Sequence, residues 1–207
     1  MKLSHFAAIA IAVLPATLTA QSADSLGQLG RTLIAFNVGL TGTREASANG
    51  TGATARGTGQ VASFDVTHFV HPSIAIEVNA SILDANNYVS GARAHNEQVL
   101  PLLFGVNYAP TALAVNSELR PFVSIAAGPY IHSLNDESVT SGAASSLQTV
   151  MGGRMGAGAN WYLGRHFALQ LEGDYHAVPA FNAVDGVRRN VSGFALSVGA
   201  GFAWGGR

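Results

Sequence analysis

The sequence predicts an all-β protein, an eight-stranded antiparallel up-and-down transmembrane β-barrel with a polar, packed lumen. Three observations carry the prediction. Apolar residues recur at every second position in eight separate runs, the period of a strand with two unlike faces. Charged residues make up only 11% of the 207 residues, where the surface of a soluble domain carries about 25–35%. The connections between runs alternate between long and short, as in barrels whose turns are short at one rim and long at the other.

The chain opens on Met1-Lys2, an apolar run Phe6–Leu14 (FAAIAIAVL) and a small-residue stretch Pro15–Ala20 (PATLTA). These are the three regions of a secretory signal peptide, and the run is too short for a membrane-spanning helix, which needs about 20 apolar residues. Residues 1–20 are therefore expected to be removed, leaving 21–207 as one barrel domain. The mature chain carries ten arginines against twelve carboxylates, a net charge of −2, because Lys2 is the only lysine. It has no basic block to meet nucleic acid. It has no cysteine, hence no disulfide scaffold and no thiolate metal site.

The first run sets Ile34, Phe36, Val38 and Leu40 against Ala35, Asn37, Gly39 and Thr41. The second sets Ala62, Phe64 and Val66 against Ser63, Asp65 and Thr67. The third, the clearest, opposes Ile74, Ile76, Val78, Ala80 and Ile82 to Ala75, Glu77, Asn79 and Ser81. The fourth opposes Leu100, Leu102, Phe104, Val106 and Tyr108 to Pro101, Leu103, Gly105 and Asn107. The fifth is Val123–Gly128. The sixth, Met151–Leu163, places Arg154 among glycines. The seventh, His166–His176 (HFALQLEGDYH), separates Phe167, Leu169 and Leu171 from Gln170, Glu172 and Asp174. The eighth, Phe194–Trp204, alternates bulky residues with Ser197, Gly199 and Gly201.

Glu45–Gly57, Asp84–Glu97, Asn135–Ser145 and Val178–Asn190 read as long polar loops. His71-Pro72 and Gly164-Arg165 read as tight turns, and Pro110–Leu119 as a longer one.

A soluble exported barrel also alternates, but it keeps apolar residues inside and needs many Lys and Glu outside. Here the less apolar faces hold mainly Gly, Ala, Ser, Thr and Asn, which suit a narrow interior. Bulky side chains are then expected against lipid, with Tyr108, Trp161, Tyr162, Tyr175, Phe202 and Trp204 near strand ends as interfacial girdles. The other orientation puts Glu172 and Asp174 in hydrocarbon.

With the signal peptide, the segments PLLFGVNYAP (101–110), RPFVSIAAGPYI (120–131), GGRMGAGANWYL (152–163) and GFALSVGAGFAWG (193–205) resemble the small outer-membrane β-barrels of Gram-negative bacteria, the OmpA-type eight-stranded domain and its relatives. The resemblance implies a bacterial outer-membrane location reached through the periplasm. It implies outer-membrane lipid and lipopolysaccharide as surroundings, and assembly by the barrel assembly machinery. The chain departs from the pattern by ending Trp204-Gly205-Gly206-Arg207 rather than on an aromatic residue. No peptidoglycan-binding domain follows the barrel, so that activity is not expected.

Asp65, Glu77, Arg154, Glu172 and Asp174 fall on inward faces and form the expected lumen ion network, with Arg154 within reach of Glu77 and Glu172 across a narrow interior. The plain interpretation is a structural plug. The sharper one is a gated path for small solutes or ions. A lipid-modifying enzyme is a third alternative, but His132 and Ser133 are adjacent and so point to opposite faces. No catalytic residue, cofactor or metal is expected. His68 and His71 flank a turn and have no evident third ligand. Asn49-Gly50-Thr51 and Asn190-Val191-Ser192 match a glycosylation pattern that is frequent by chance. The expected role is structural or adhesive, through loops meeting an external partner that the sequence does not specify.

Overall fold

The computed structural model describes residues 28–44, 56–89, 92–114, 118–135, 146–179, 181 and 191–206. The expected signal peptide, the Asn49 acceptor pattern, Asn190 and most of three long connections lie outside these residues.

Eight strands run in chain order: β1 (Arg31–Arg44), β2 (Arg56–His71), β3 (Ile74–Val89), β4 (Ala92–Tyr108), β5 (Leu119–Asn135), β6 (Ser146–Leu163), β7 (Phe167–Ala177) and β8 (Gly193–Gly205). Each pairs antiparallel with its neighbours, and β1 closes the cylinder on β8, with Arg31 opposite Gly205 and Thr43 opposite Gly193. The shortest strand, β7, has 11 residues, enough for a tilted strand to cross a bilayer, which takes about 9–11. Closure leaves no strand edge unpaired, a requirement for backbone in hydrocarbon. Among the described residues no helix is long and apolar enough to cross a membrane.

The faces are those the alternation predicts. Phe36, Leu40, Phe104, Ile125, Met155, Leu171, Phe194 and Leu196 point out, several of them more than 60% exposed, while Asn37, Asp65, Glu77, Asn79, Asn107, Ser124, Glu172 and Ser197 are buried inside. An apolar belt around a whole cylinder far exceeds the patches that soluble monomers expose. Its solvent is hydrocarbon, and the fold is a transmembrane barrel.

At the rim with the short turns, Ser73 donates its backbone N–H to Nδ1 of His71, and Gly164 takes a left-handed φ of 78° that closes the β6–β7 turn. Thr32 Oγ1 lies 2.9 Å from Nδ1 of His68. His71 thus has the turn role the sequence suggested, whereas His68 lies within β2 and meets Thr32 of β1 across the strand pair. Outside this rim Phe202 packs against Phe167 and Trp204, with Tyr108 and Trp161 exposed nearby, forming an aromatic girdle. Tyr162, expected in that girdle, instead points inward because it follows Trp161 in the strand, and it is 2% exposed.

The loop expected over Asp84–Glu97 is mostly strand. β3 continues to Val89 and β4 begins at Ala92, paired through Asn86 opposite Asn96 with a register shift at Asn87/Tyr88. Backbone pairing continues beyond the apolar belt, where alternation of side chains no longer marks it.

A closed barrel resists detergent at room temperature. On denaturing gels the unboiled protein is expected to migrate faster than the boiled protein; coincident bands would contradict a closed cylinder.

Candidate functional site: the polar tier of the lumen

The interior is filled in tiers. Toward the short-turn rim lie two apolar clusters, Leu33, Tyr162, Ala168 and Ala203 in one and Phe69, Ala75, Ala109 and Phe122 in the other. Toward the opposite rim lies a larger cluster that includes Val61, Leu83, Leu103, Tyr130, Val178 and Phe181. Most of the buried polar residues occupy the middle, with Gln28, Arg120, Asn160 and Gln170 buried at the short-turn end. Apart from Leu103, these bulky inward residues were not expected from the binary pattern, and glycines on neighbouring strands explain how three of them fit. A Cβ at Gly152 strikes the Tyr130 ring, one at Gly158 strikes the Phe122 ring, and one at Gly201 strikes Leu33. Large against small fills a cylinder of this width at interior density.

In the middle tier Arg154 reaches from β6 across the lumen. Its Nη2 donates to Oε1 of Glu77 on β3, and its Nη1 lies 3.6 Å from Oε1 of Glu172 and 3.6 Å from Oδ1 of Asp174, both on β7. All four side chains are at most 7% exposed. Small neighbours give the guanidinium its path: Ala126 faces Arg154 in the register, and Gly156 sits where any Cβ would meet the carboxylates of Asp174 and Glu172 and the Ser124 hydroxyl. Buried charges so placed are held by their partners, because each loses its hydration and regains it only as ion pairs and hydrogen bonds.

The structure brings together four of the five residues expected in the network and sets the fifth apart. Asp65 makes no ion pair with Arg154. Its Oδ2 accepts from Asn37 Nδ2 (2.6 Å) and Ser63 Oγ (2.8 Å), and its Oδ1 accepts from Asn79 Nδ2 (2.5 Å). Ser81 Oγ in turn donates to Asn79 Oδ1 at 3.2 Å. The tier therefore has two halves, one tied by Arg154 and one in which neutral amides and a hydroxyl serve a carboxylate. Asn37 and Asn79 shared inward faces with Asp65 and Glu77 in the sequence pattern, so the parity rule was the signal that could have added them.

His132 is buried inside and stacks on Phe181 with ring centroids 4.7 Å apart. The Tyr130 hydroxyl donates to the Gly153 carbonyl oxygen (3.2 Å) and lies 3.0 Å from Nδ1 of His176. Ser192 Oγ accepts from the Val178 N–H and donates to the Val178 carbonyl oxygen, both at 2.9 Å, which ties the chain after β7 to the start of β8 over the lumen mouth. Among the described residues no group of three or more His, Cys, Asp or Glu is placed to hold a metal ion.

The same architecture occurs in solved structures. OprG, an outer membrane protein of Pseudomonas aeruginosa, is 16% identical with a TM-score of 0.61, over 87% of this chain and 98% of that one. Neisserial surface protein A is 14% identical with a TM-score of 0.58, over 84% and 96%. The outer membrane protein AlkL is 18% identical with a TM-score of 0.57, over 92% and 97%. At these identities the likeness is one of fold. No family model and no curated protein sequence matches the chain.

Proposed function

On the premise that this chain has the fold of the small outer-membrane β-barrels, we propose that it is an integral protein of the bacterial outer membrane with a structural or adhesive surface role. Its extracellular loops do the work, and the barrel is their scaffold. The observation that supports this most is the filling of the lumen. Arg154 cross-links β6 to β3 and β7, and apolar clusters lie above and below that layer. A cylinder blocked in its polar middle and capped at both ends suits a scaffold better than a pore.

The protein is non-enzymatic in this reading. His132 stacks on Phe181, His176 lies beside Tyr130, His68 beside Thr32, and His71 closes a turn. Each of these four is used in packing or in a local hydrogen bond, those of His68 and His176 being to the hydroxyls of Thr32 and Tyr130. Neisserial surface protein A, a protein of the same fold, is by its name a surface protein, in keeping with a role at the cell surface.

Planar-bilayer recording tests the proposal. The wild-type protein, once inserted, is expected to show no openings at any holding potential. Phe181→Ala, which removes the ring from the loop-end cluster, and Arg154→Ala, which opens the polar tier, serve as comparisons. Sustained unitary currents from the wild type would replace the scaffold reading with that of a narrow channel.

A further inference from the structure

The carboxylates around Arg154 outnumber it. Glu77, Glu172 and Asp174 surround the guanidinium, three negative charges against one positive, a net of −2 when all are ionised. Of these carboxylates only Glu77 accepts a hydrogen bond from Arg154. Glu172 Oε1 and Asp174 Oδ1 each lie 3.6 Å from Nη1, beyond hydrogen-bond reach, so the guanidinium leaves their lone pairs unused. Asp65 stands outside this group, served by neutral donors.

A second observation is geometric and independent of charge. Gly156 on β6 has no side chain, and the place a Cβ would take there is within 3.1 Å of three oxygens: Asp174 Oδ1, Ser124 Oγ and Glu172 Oε1. A carbon at that point collides with Asp174, whereas calcium bonds oxygen at about 2.3–2.6 Å and gathers about six to eight such ligands. The register builds the cradle. Ser124, Gly156 and Asp174 stand side by side across β5, β6 and β7, and Asn107 of β4 extends the row beside Ser124. Asp174 Oδ1 and Asn107 Oδ1 are both enclosed without a hydrogen-bond partner among the described residues, on residues 6% and 2% exposed. A buried acceptor with no donor is costly, and a cation relieves that cost where no donor does. These candidate ligands are all oxygens, which suit calcium or magnesium rather than zinc or copper. No metal was expected from the sequence, because the ligands lie on separate strands and two carboxylates fall short of a three-residue acidic or imidazole set.

We infer that the lumen binds one calcium ion beside Gly156, held by the carboxylates of Asp174 and Glu172 with Ser124 Oγ and Asn107 Oδ1 completing the protein ligands. Its two positive charges offset the net −2 around Arg154. Magnesium is a poorer match, because it keeps several waters in a strict octahedron, and side chains at most 7% exposed leave little room for them. The ion adds β4 and β5 to the strands β3, β6 and β7 that Arg154 joins, so the same layer is cross-linked on both sides.

The test uses the full mature chain, folded in neutral detergent with calcium or with EDTA. Bound metal is measured by atomic emission after equilibrium dialysis over a range of calcium concentrations. The wild type is expected to bind one ion per chain and to unfold at a higher urea concentration with calcium than with EDTA, since the ion binds the folded state. Asp174→Asn, which keeps the size of the side chain and removes a charged ligand, is expected to weaken binding about tenfold or more and to abolish the calcium-dependent shift in urea midpoint. Gly156→Ala puts a methyl group among the three oxygens and is expected to do the same. Glu118→Gln, which removes an exposed carboxylate at the short-turn rim, is expected to bind as the wild type does. Faster gel migration before boiling establishes that each variant is folded, and if Gly156→Ala does not fold, Asp174→Asn decides. A wild type without bound calcium, or with a urea midpoint that calcium does not move, overturns the site and leaves a proton shared between Glu172 and Asp174 to relieve their charge. Undiminished binding in Asp174→Asn, or an equal loss in Glu118→Gln, places the ion elsewhere and also overturns it. Displacement by an equal concentration of magnesium overturns the assignment to calcium.

Discussion

Arg154→Met is expected to destabilise the barrel by about 3–5 kcal/mol, the cost of removing one member of a buried ion cluster. Methionine keeps much of the stem's volume, so the loss is one of charge rather than of packing. Glu77, Glu172 and Asp174 are then left around an empty centre, all at most 7% exposed. Their mutual repulsion and lost hydration both favour the unfolded chain. Urea titration of the protein in lipid vesicles, followed by tryptophan fluorescence and gel mobility, gives the difference directly. The quadruple variant Arg154→Met/Glu77→Gln/Glu172→Gln/Asp174→Asn removes every charge of the cluster and is expected to recover most of the loss. If Arg154→Met alone costs less than about 1 kcal/mol, the range of an exposed ion pair, then water reaches the tier and the cross-link is not what blocks the lumen.

The eight strands and the side each residue faces were legible in the sequence because both follow from a period of two and from the cost of a charge in hydrocarbon. Glu77, Glu172 and Arg154 needed no structure to be placed inside. Strand lengths were harder to read. Beyond the apolar belt the pattern that signals a strand disappears while backbone pairing goes on, as at Asn86 opposite Asn96. The apolar tiers were also hidden. Leu33, Phe69, Phe122 and Tyr130 stand on the same inward faces as the polar residues, and binary patterning gives a face one solvent without saying that depth divides it. What permits Leu33, Phe122 and Tyr130 is a glycine on the neighbouring strand, a relation that sequence spacing does not show. The separation of Asp65 from Arg154 has a similar cause, since Asn37 and Asn79 reach Asp65 from the strands beside it and Ser63 from its own strand, and they satisfy it first.

The polar tier and the outer belt depend on one another. An eight-stranded cylinder has too little interior to bury its large apolar residues, so most of them have to be outside, and lipid is the medium that accepts them. The inward positions then admit ionisable groups only because these can pair across a short distance. Arg154 and Glu77 sit on well-separated strands, and their contact requires the glycines and alanines of β5 and β6 around the guanidinium. Exchange of the two faces would leave Arg154, Glu172 and Asp174 against acyl chains with no partner.

That dependence makes the outer wall testable by depth. Leu171 is half-exposed near the middle of β7, and Leu163 is exposed at the short-turn end of β6, beside the aromatic girdle. Leu171→Arg is expected to cost about 2–4 kcal/mol, and Leu163→Arg about 0–1 kcal/mol, because an arginine at the interface extends its charge into the headgroups while one at the midplane cannot. Both changes put the same side chain on an outward-facing position of the same barrel, so neither lumen packing nor strand propensity separates them. Unfolding midpoints in vesicles of fixed acyl length measure the difference. Thicker bilayers are expected to widen it, because the Leu163 site then sinks toward hydrocarbon. Equal and small costs at the two positions would mean that water wets the whole wall, as in a soluble barrel. The apolar exterior of Phe36, Phe104, Ile125 and Leu196 would then have no medium to explain it.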